Sequence, residues 1–134
     1  MSITKAQGFF DLGLFDDAWL TIDDLQPAGR DTRDALELRL KILSATERWS
    51  QCQFLAEGLV KSSPAWPLPY LLGAEALDKQ GNIKAALAFL TAGEEHLQDE
   101  HEFWSQLALY RSKVGDALGA QQAHARLAEL VSGR

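Results

Sequence analysis

Gly13-Leu14-Phe15-Asp16-Asp17-Ala18 is the stretch whose reading decides the fold, because it returns along the chain. Gly81-Asn82-Ile83-Lys84-Ala85-Ala86 and Gly115-Asp116-Ala117-Leu118-Gly119-Ala120 carry the same pattern: a glycine, a bulky residue two places on, and a small residue at the sixth place. Glu47-Arg48-Trp49-Ser50-Gln51-Cys52 keeps the bulky and small residues but has lost the glycine. The small residues Ala18, Cys52, Ala86 and Ala120 are evenly spaced, each one 34-residue step from the next, with no insertion. A fixed period of this length is the signature of stacked helix-turn-helix units.

Other columns repeat in the same register. Upstream of each turn, Leu36, Leu40 and Leu43, then Tyr70, Ala74 and Leu77, then Trp104, Leu107 and Ala108 mark a first helix. Downstream, Ile22 and Leu25, Ala56 and Leu59, Phe89 and Leu90, and finally Leu127 mark a second. Apolar residues three and four apart line one helix face. A small residue is needed where two helices cross, since a bulky one pushes the axes apart. Gly13, Gly81 and Gly115 fall where each first helix ends, and left-handed backbone strains glycine little. Pro64 closes the second repeat, while Pro67 and Pro69 suit a first helical turn, where a missing N–H is tolerated.

With these columns in place, the chain resembles the tetratricopeptide repeat family over essentially its whole length. The family's Trp/Leu-Gly/Tyr…Ala…Phe…Pro pattern is matched best by Tyr70-x-x-Gly73-Ala74-x-x-Leu77 and by Trp104-x-x-Leu107-Ala108. The resemblance implies an all-α solenoid of four helix-turn-helix repeats. Its eight antiparallel helices would form a right-handed superhelix in a single domain, residues 1–134, with repeats at about 1–32, 33–66, 67–100 and 101–134. The short first repeat places its first helix at Ser2 to Leu12. The fourth repeat puts Arg111 and His124 in columns that are normally apolar. That favours a self-capped, monomeric chain over an end-to-end homodimer through Leu127, Leu130 and Val131.

Composition agrees with a folded chain: 46% hydrophobic and 24% charged residues, with a mean hydropathy of -0.17. Met1 to Phe15 lacks the basic start and unbroken apolar run of a secretory signal, and no stretch has the apolar length of a membrane span. The single cysteine, Cys52, forms no disulfide within the chain. A cytoplasmic location is therefore expected. A formal net charge of -6 opposes nucleic acid, which needs clustered cations. Arg33, Arg39, Lys41 and Arg48 are interleaved with Asp34, Glu37 and Glu47, as on a solvated helix surface.

The family's first helices line a concave face that takes a peptide or helix. The residues that fall there are Ile3, Gln7, Phe10 and Asp11 in the first repeat, and Asp34, Glu37 and Lys41 in the second. The third repeat supplies Leu68, Leu71, Glu75, Asp78 and Lys79, and the fourth Glu102, Ser105, Leu109 and Lys113. Six are acidic and three basic, so a protein segment with apolar and basic residues is the expected partner. The family's carboxylate-clamp form needs Lys, Asn and Arg at set places. Here those places hold Ile3, Gln7, Leu38, Leu68 and Leu72 in one register, and Glu37, Lys41, Leu72, Glu102 and Gln106 in the other. Neither offers a cationic cradle, so a carboxylate-clamp cochaperone is not expected.

No catalytic constellation or cofactor motif is present, and the chain is not read as an enzyme. Glu94, Glu95, His96, Asp99, Glu100, His101 and Glu102 invite a metal reading, but His96 and His101 are five apart and share no helical face. A polar loop linking the third and fourth repeats explains the cluster better. Cys52 stands in the small-residue column and is read as packing, not redox chemistry. Trp49 and Trp104 occupy core columns, which leaves Trp19 and Trp66 as candidate surface aromatics. The sequence thus points to a protein-interaction module. The alternatives are a small acidic secretion-type chaperone for a hydrophobic export substrate, or a structural subunit of a larger assembly. RNA binding of the pentatricopeptide kind is opposed by the 34-residue period and the charge.

Overall fold

The computed structural model describes residues 3–133, so Ser2, expected to open the first helix, and Arg134 at the chain end lie outside the described residues. Every regular element among them is helical. Two compact units meet between Arg48 and Trp49. The first contains α1 (Ile3–Asp11), α2 (Phe15–Asp23), α3 (Pro27–Arg30) and α4 (Arg33–Ala45). The second contains α5 (Trp49–Ser62), α6 (Pro67–Lys79), α7 (Ile83–Thr91), α8 (His101–Lys113) and α9 (Ala117–Val131). The division falls inside the second repeat, with α4 closing one unit and α5 opening the other.

Each of the four turns has the same hydrogen-bond pattern. The residue after the turn position donates to a carbonyl five residues back: Leu14 to Phe9 at 2.9 Å, Arg48 to Leu43 at 2.9 Å, Asn82 to Leu77 at 3.0 Å and Asp116 to Arg111 at 2.8 Å. Such a closure needs a left-handed residue just before the donor. Gly13, Gly81 and Gly115 supply it at φ 78, 85 and 86, and Glu47 supplies it at φ 57. The turn therefore survives loss of its glycine, at the expense of backbone strain. The helix that follows is capped by a side chain in two of the four cases. Asn82 Oδ1 accepts from the Ala85 N–H at 3.1 Å, and Asp116 Oδ1 from the Gly119 N–H at 2.9 Å.

The small-residue column is buried throughout. Ala18, Cys52 and Ala86 are wholly inaccessible, and Ala120 is nearly so. In the first unit Ala18 joins Ala6, Ile22, Ala35, Leu38 and Ile42, with Phe9, Phe10, Phe15 and Trp19 packed around them. In the second, Ala86 joins Tyr70, Ala74, Leu90, Leu97, Phe103, Trp104 and Leu107. Gly73 marks the tightest approach there. A Cβ at this position would run into the Phe89 ring and come within 2.9 Å of the Ala56 Cβ, so α5, α6 and α7 close over a bare backbone.

Three features differ from the sequence expectation. Among the described residues there are nine α-helices, not eight, because Pro27 opens the one-turn helix α3 in the first inter-repeat link; its fixed φ suits a first helical turn. Glu94–His96, expected as open loop, forms a 3-10 turn. Trp66, expected at the surface, is buried at 5% exposure. It caps α6 in extended backbone ahead of Pro67, a conformation that proline imposes on the residue before it.

Two stability measurements check this account. Left-handed backbone costs an ordinary L-residue about 1–2 kcal/mol, and glycine's extra freedom in the unfolded chain offsets ~0.5–1 kcal/mol of the gain. Glu47→Gly should therefore raise stability by about 0.5–1 kcal/mol in urea unfolding. Gly73→Ala should lower it by roughly 1–3 kcal/mol, the usual effect of overpacking a filled crossing; an unchanged thermal midpoint would mean that the three helices do not meet there.

Candidate partner-binding surfaces

Each unit carries a hollow on the side of its first helices. In the second unit it measures about 650 Å³ and lies between α6 and α8. Leucines 68, 71, 72 and 109 make its apolar lining, together with Ala108. Glu75, Glu102, Ser105, Gln106, Ser112 and His124 complete it. Helical geometry explains the grouping. Leu68, Leu71, Leu72 and Glu75 recur at three- and four-residue steps along α6, as do Glu102, Ser105 or Gln106, and Leu109 along α8. Six of the residues read from the sequence, Leu68, Leu71, Glu75, Glu102, Ser105 and Leu109, thus come together here. In the first unit a smaller hollow of about 370 Å³ gathers Ile3, Gln7, Asp11, Asp34 and Glu37, with Thr4 and Gly8.

The remaining residues read from the sequence sit elsewhere. Phe10 is half-buried, its ring 5.4 Å from that of Phe15 and packed on the core of the first unit. The Lys41 ammonium donates to Glu37 at 3.2 Å. Asp78 is paired with Lys113 at 3.1 Å, and that ammonium also lies over the Tyr110 ring. Lys79 is exposed at the end of α6. The cations expected on this face are therefore engaged or peripheral, and neither hollow is lined by Lys or Arg.

Leu72, Gln106, Ala108, Ser112 and His124 line the larger hollow without having been predicted to do so. The first two had a signal: they occupy the same column in successive repeats, and each follows a predicted lining residue by one turn, Leu68 and Glu102. His124 had none, because its column holds Ile22, Ala56 and Leu90 in the earlier repeats, all of them buried.

Two buried titratable groups lie close to Glu75, one of the residues lining this hollow. Burial, reinforced by the Glu75 carboxylate, pushes the Cys52 thiol up to about 11. Burial also pushes the Tyr110 phenol up to about 12; Asp78 and Glu75 add to the rise, and the hydrogen bond with Gln106 opposes it. The Cys52 Sγ points at the Leu72 carbonyl oxygen, 3.9 Å away, and is inaccessible to solvent. A thiol held neutral in this way is a packing group, not a nucleophile.

The fourth repeat is more polar than the third at four matching positions. Ser105, Gln106, Arg111 and His124 stand where the preceding repeat has Leu71, Leu72, Leu77 and Leu90. Arg111 donates to the Gly119 carbonyl at 3.1 Å and to Glu94 at 3.4 Å, joining α8, the start of α9 and the 3-10 turn. The Arg126 guanidinium reaches the Gln98 carbonyl at 3.0 Å and Asp99 at 3.1 Å, and the Trp104 indole N–H donates to the same carbonyl at 2.8 Å. The acidic segment 94–102 is thus tied down by arginines and an indole. Among the described residues, no three His, Cys, Asp or Glu side chains converge as metal ligands.

No family model matches the chain, and no curated protein matches it. Solved structures do. MamA (residues 41 to the end) from Desulfovibrio magneticus RS-1 superposes with a TM-score of 0.81 at 15% identity, covering 98% of this chain and 75% of that one. MamA AMB-1 gives a TM-score of 0.74 at 13% identity, over 96% and 70% of the two chains. MamA MSR-1 gives 0.73 at 12% identity, over 95% and 73%. This is the tetratricopeptide-type helical-repeat fold. At such identities the likeness is one of backbone: it supports the repeat reading and transfers no site residue. Among the described residues, no helix of this repeat fold is long and apolar enough to cross a membrane.

The thiol supplies a prediction with a definite sign. Its pKa is higher folded than unfolded, so its stabilising contribution is complete below about pH 9 and is lost as pH rises through about 11. Urea unfolding should show a loss on the order of 2 kcal/mol across that window. Cys52→Ala should remove that part and leave the Tyr110 part, which falls between its ordinary value of 10 and about 12.

Proposed function

We propose that this chain is a protein-interaction module that takes a peptide or helix bearing apolar and basic residues into the hollow between α6 and α8. One observation carries this reading: a leucine floor rimmed by Glu75 and Glu102, with no lysine or arginine in the lining. Apolar side chains of a partner gain by burial on Leu68, Leu71 and Leu109. A lysine or arginine gains from the carboxylates, while an acidic segment is repelled. The hollow in the first unit, with Asp11, Asp34 and Glu37, has the same charge preference and less apolar surface. Helical-repeat folds of this type act as binding scaffolds, which agrees with the likeness to MamA.

Affinity capture with mass spectrometry would identify the partner. Leu71→Asp should then weaken binding tenfold or more, about 1.4 kcal/mol, while circular dichroism and the thermal midpoint stay close to wild type. Raising the salt concentration should weaken the wild-type complex as the carboxylate–cation attraction is screened. Unchanged affinity across separate substitutions of Leu68, Leu71 and Glu75 would remove the binding site from this hollow.

A further inference from the structure

We propose that the outer face of α5 is a self-association surface, on which a second copy of this chain docks its own α5 in antiparallel fashion about a twofold axis. Two features of that helix have no explanation within one chain. Phe54 is 80% exposed, the most exposed large apolar side chain among the described residues. Gly58, one turn further on, sits inside the fourteen-residue helix, yet a Cβ placed there would meet no atom within 4 Å. Mid-helix glycine is unfavourable relative to alanine, and here packing inside the chain gives no reason for it, in contrast to Gly73.

The two features lie on one face, and the face is self-complementary. Gln51, Phe54, Gly58 and Lys61 recur at steps of three and four and are all exposed. A helical side chain leans towards the N-terminus of its helix, so the Phe54 ring leaves the space over Gly58 open. A hollow of about 470 Å³ lies there, walled by Phe54, Leu55, Glu57, Leu59 and Lys61. A projecting ring and an empty slot one turn apart fit a copy of themselves turned antiparallel: each Phe54 enters the slot over the other chain's Gly58, as a twofold interface requires.

Charge selects a second copy over the basic segment proposed for the α6–α8 hollow. The chain carries a formal charge of -6, so two copies repel wherever carboxylates face each other. On this face Glu57 and Lys61 balance, and Glu57 also accepts from Gln53 at 3.2 Å. The interface is a single helix pair, smaller than the interface of a standard stable complex. Its dissociation constant is accordingly on the order of 0.1 mM, which leaves the chain monomeric in the low micromolar range.

Sedimentation equilibrium on the full chain from about 10 µM to about 1 mM tests this, a range that brackets such a constant. Wild type should move from the 14.8 kDa of one chain towards twice that mass. Phe54→Ser, which removes the ring, should stay at one chain throughout. Gly58→Leu, which fills the slot while favouring helix, should do the same with an undiminished thermal midpoint. Leu130→Asp, at the end of the last repeat, should associate like wild type. A wild type that remains a single chain at the highest concentration overturns the proposal. So does association that persists in both Phe54→Ser and Gly58→Leu, or association abolished by Leu130→Asp. None of these outcomes bears on the α6–α8 hollow, whose own test is partner affinity.

Discussion

Everything in this fold depends on how closely helix backbones approach at one position in every repeat. Helices packed roughly 8–10 Å apart need a side chain no larger than a methyl or thiol group at the point of crossing. Ala18, Cys52, Ala86 and Ala120 meet that condition, and all are buried. The approach sets the path of each hairpin, and with it which residues of the first helices are left on an open side. At Gly73 the demand is stricter, and no Cβ fits. The hollow between α6 and α8 is the outcome of these crossings: its leucines stay accessible because the helices bearing them are drawn together along another face.

The same constraint accounts for how the residues that most invite a chemical reading are packed. Cys52 is in the chain for its size, and its surroundings, with Glu75 adding to the effect of burial, keep it protonated. In the acidic segment 94–102, Glu94 binds Arg111 and Asp99 binds Arg126, so these two carboxylates are structural partners of the arginines. Where neighbours do not absorb the charge, as with Glu102 on the rim of the hollow, it is available to a partner. A repeat fold therefore has two kinds of acidic residue, and only their neighbours tell them apart.

Sequence-level reasoning reached far here for a specific reason. Periodicity is a one-dimensional property, and the stacking of identical units is what that periodicity encodes. The helix pairs, the turn positions, the small-residue column and most of the leucine lining follow from placing the chain in register on its own period. Glu47 is instructive: the register alone placed it in a glycine column, and its backbone is left-handed as the register demands. Trp66 shows the opposite case. Nothing periodic marked it as core, because it lies in an inter-repeat link, outside the repeating helix columns, and it is nevertheless buried.

What the sequence by itself determined is the all-helical repeat architecture, the placing of its turns, and several of the leucines and carboxylates that line the hollow between α6 and α8. Each of these is a local rule applied four times. The tertiary structure alone decided which charges are spent and which are free. Asp78 is held by Lys113 and Glu94 by Arg111, in each case from a different helix or turn. It also decided that His124 lines a hollow, that Trp66 is enclosed, and that Phe54 faces solvent beside an empty slot. The physical reason is that burial and charge pairing depend on what packs opposite a residue, which is set by the neighbouring helix and not by the residue's own place in the period.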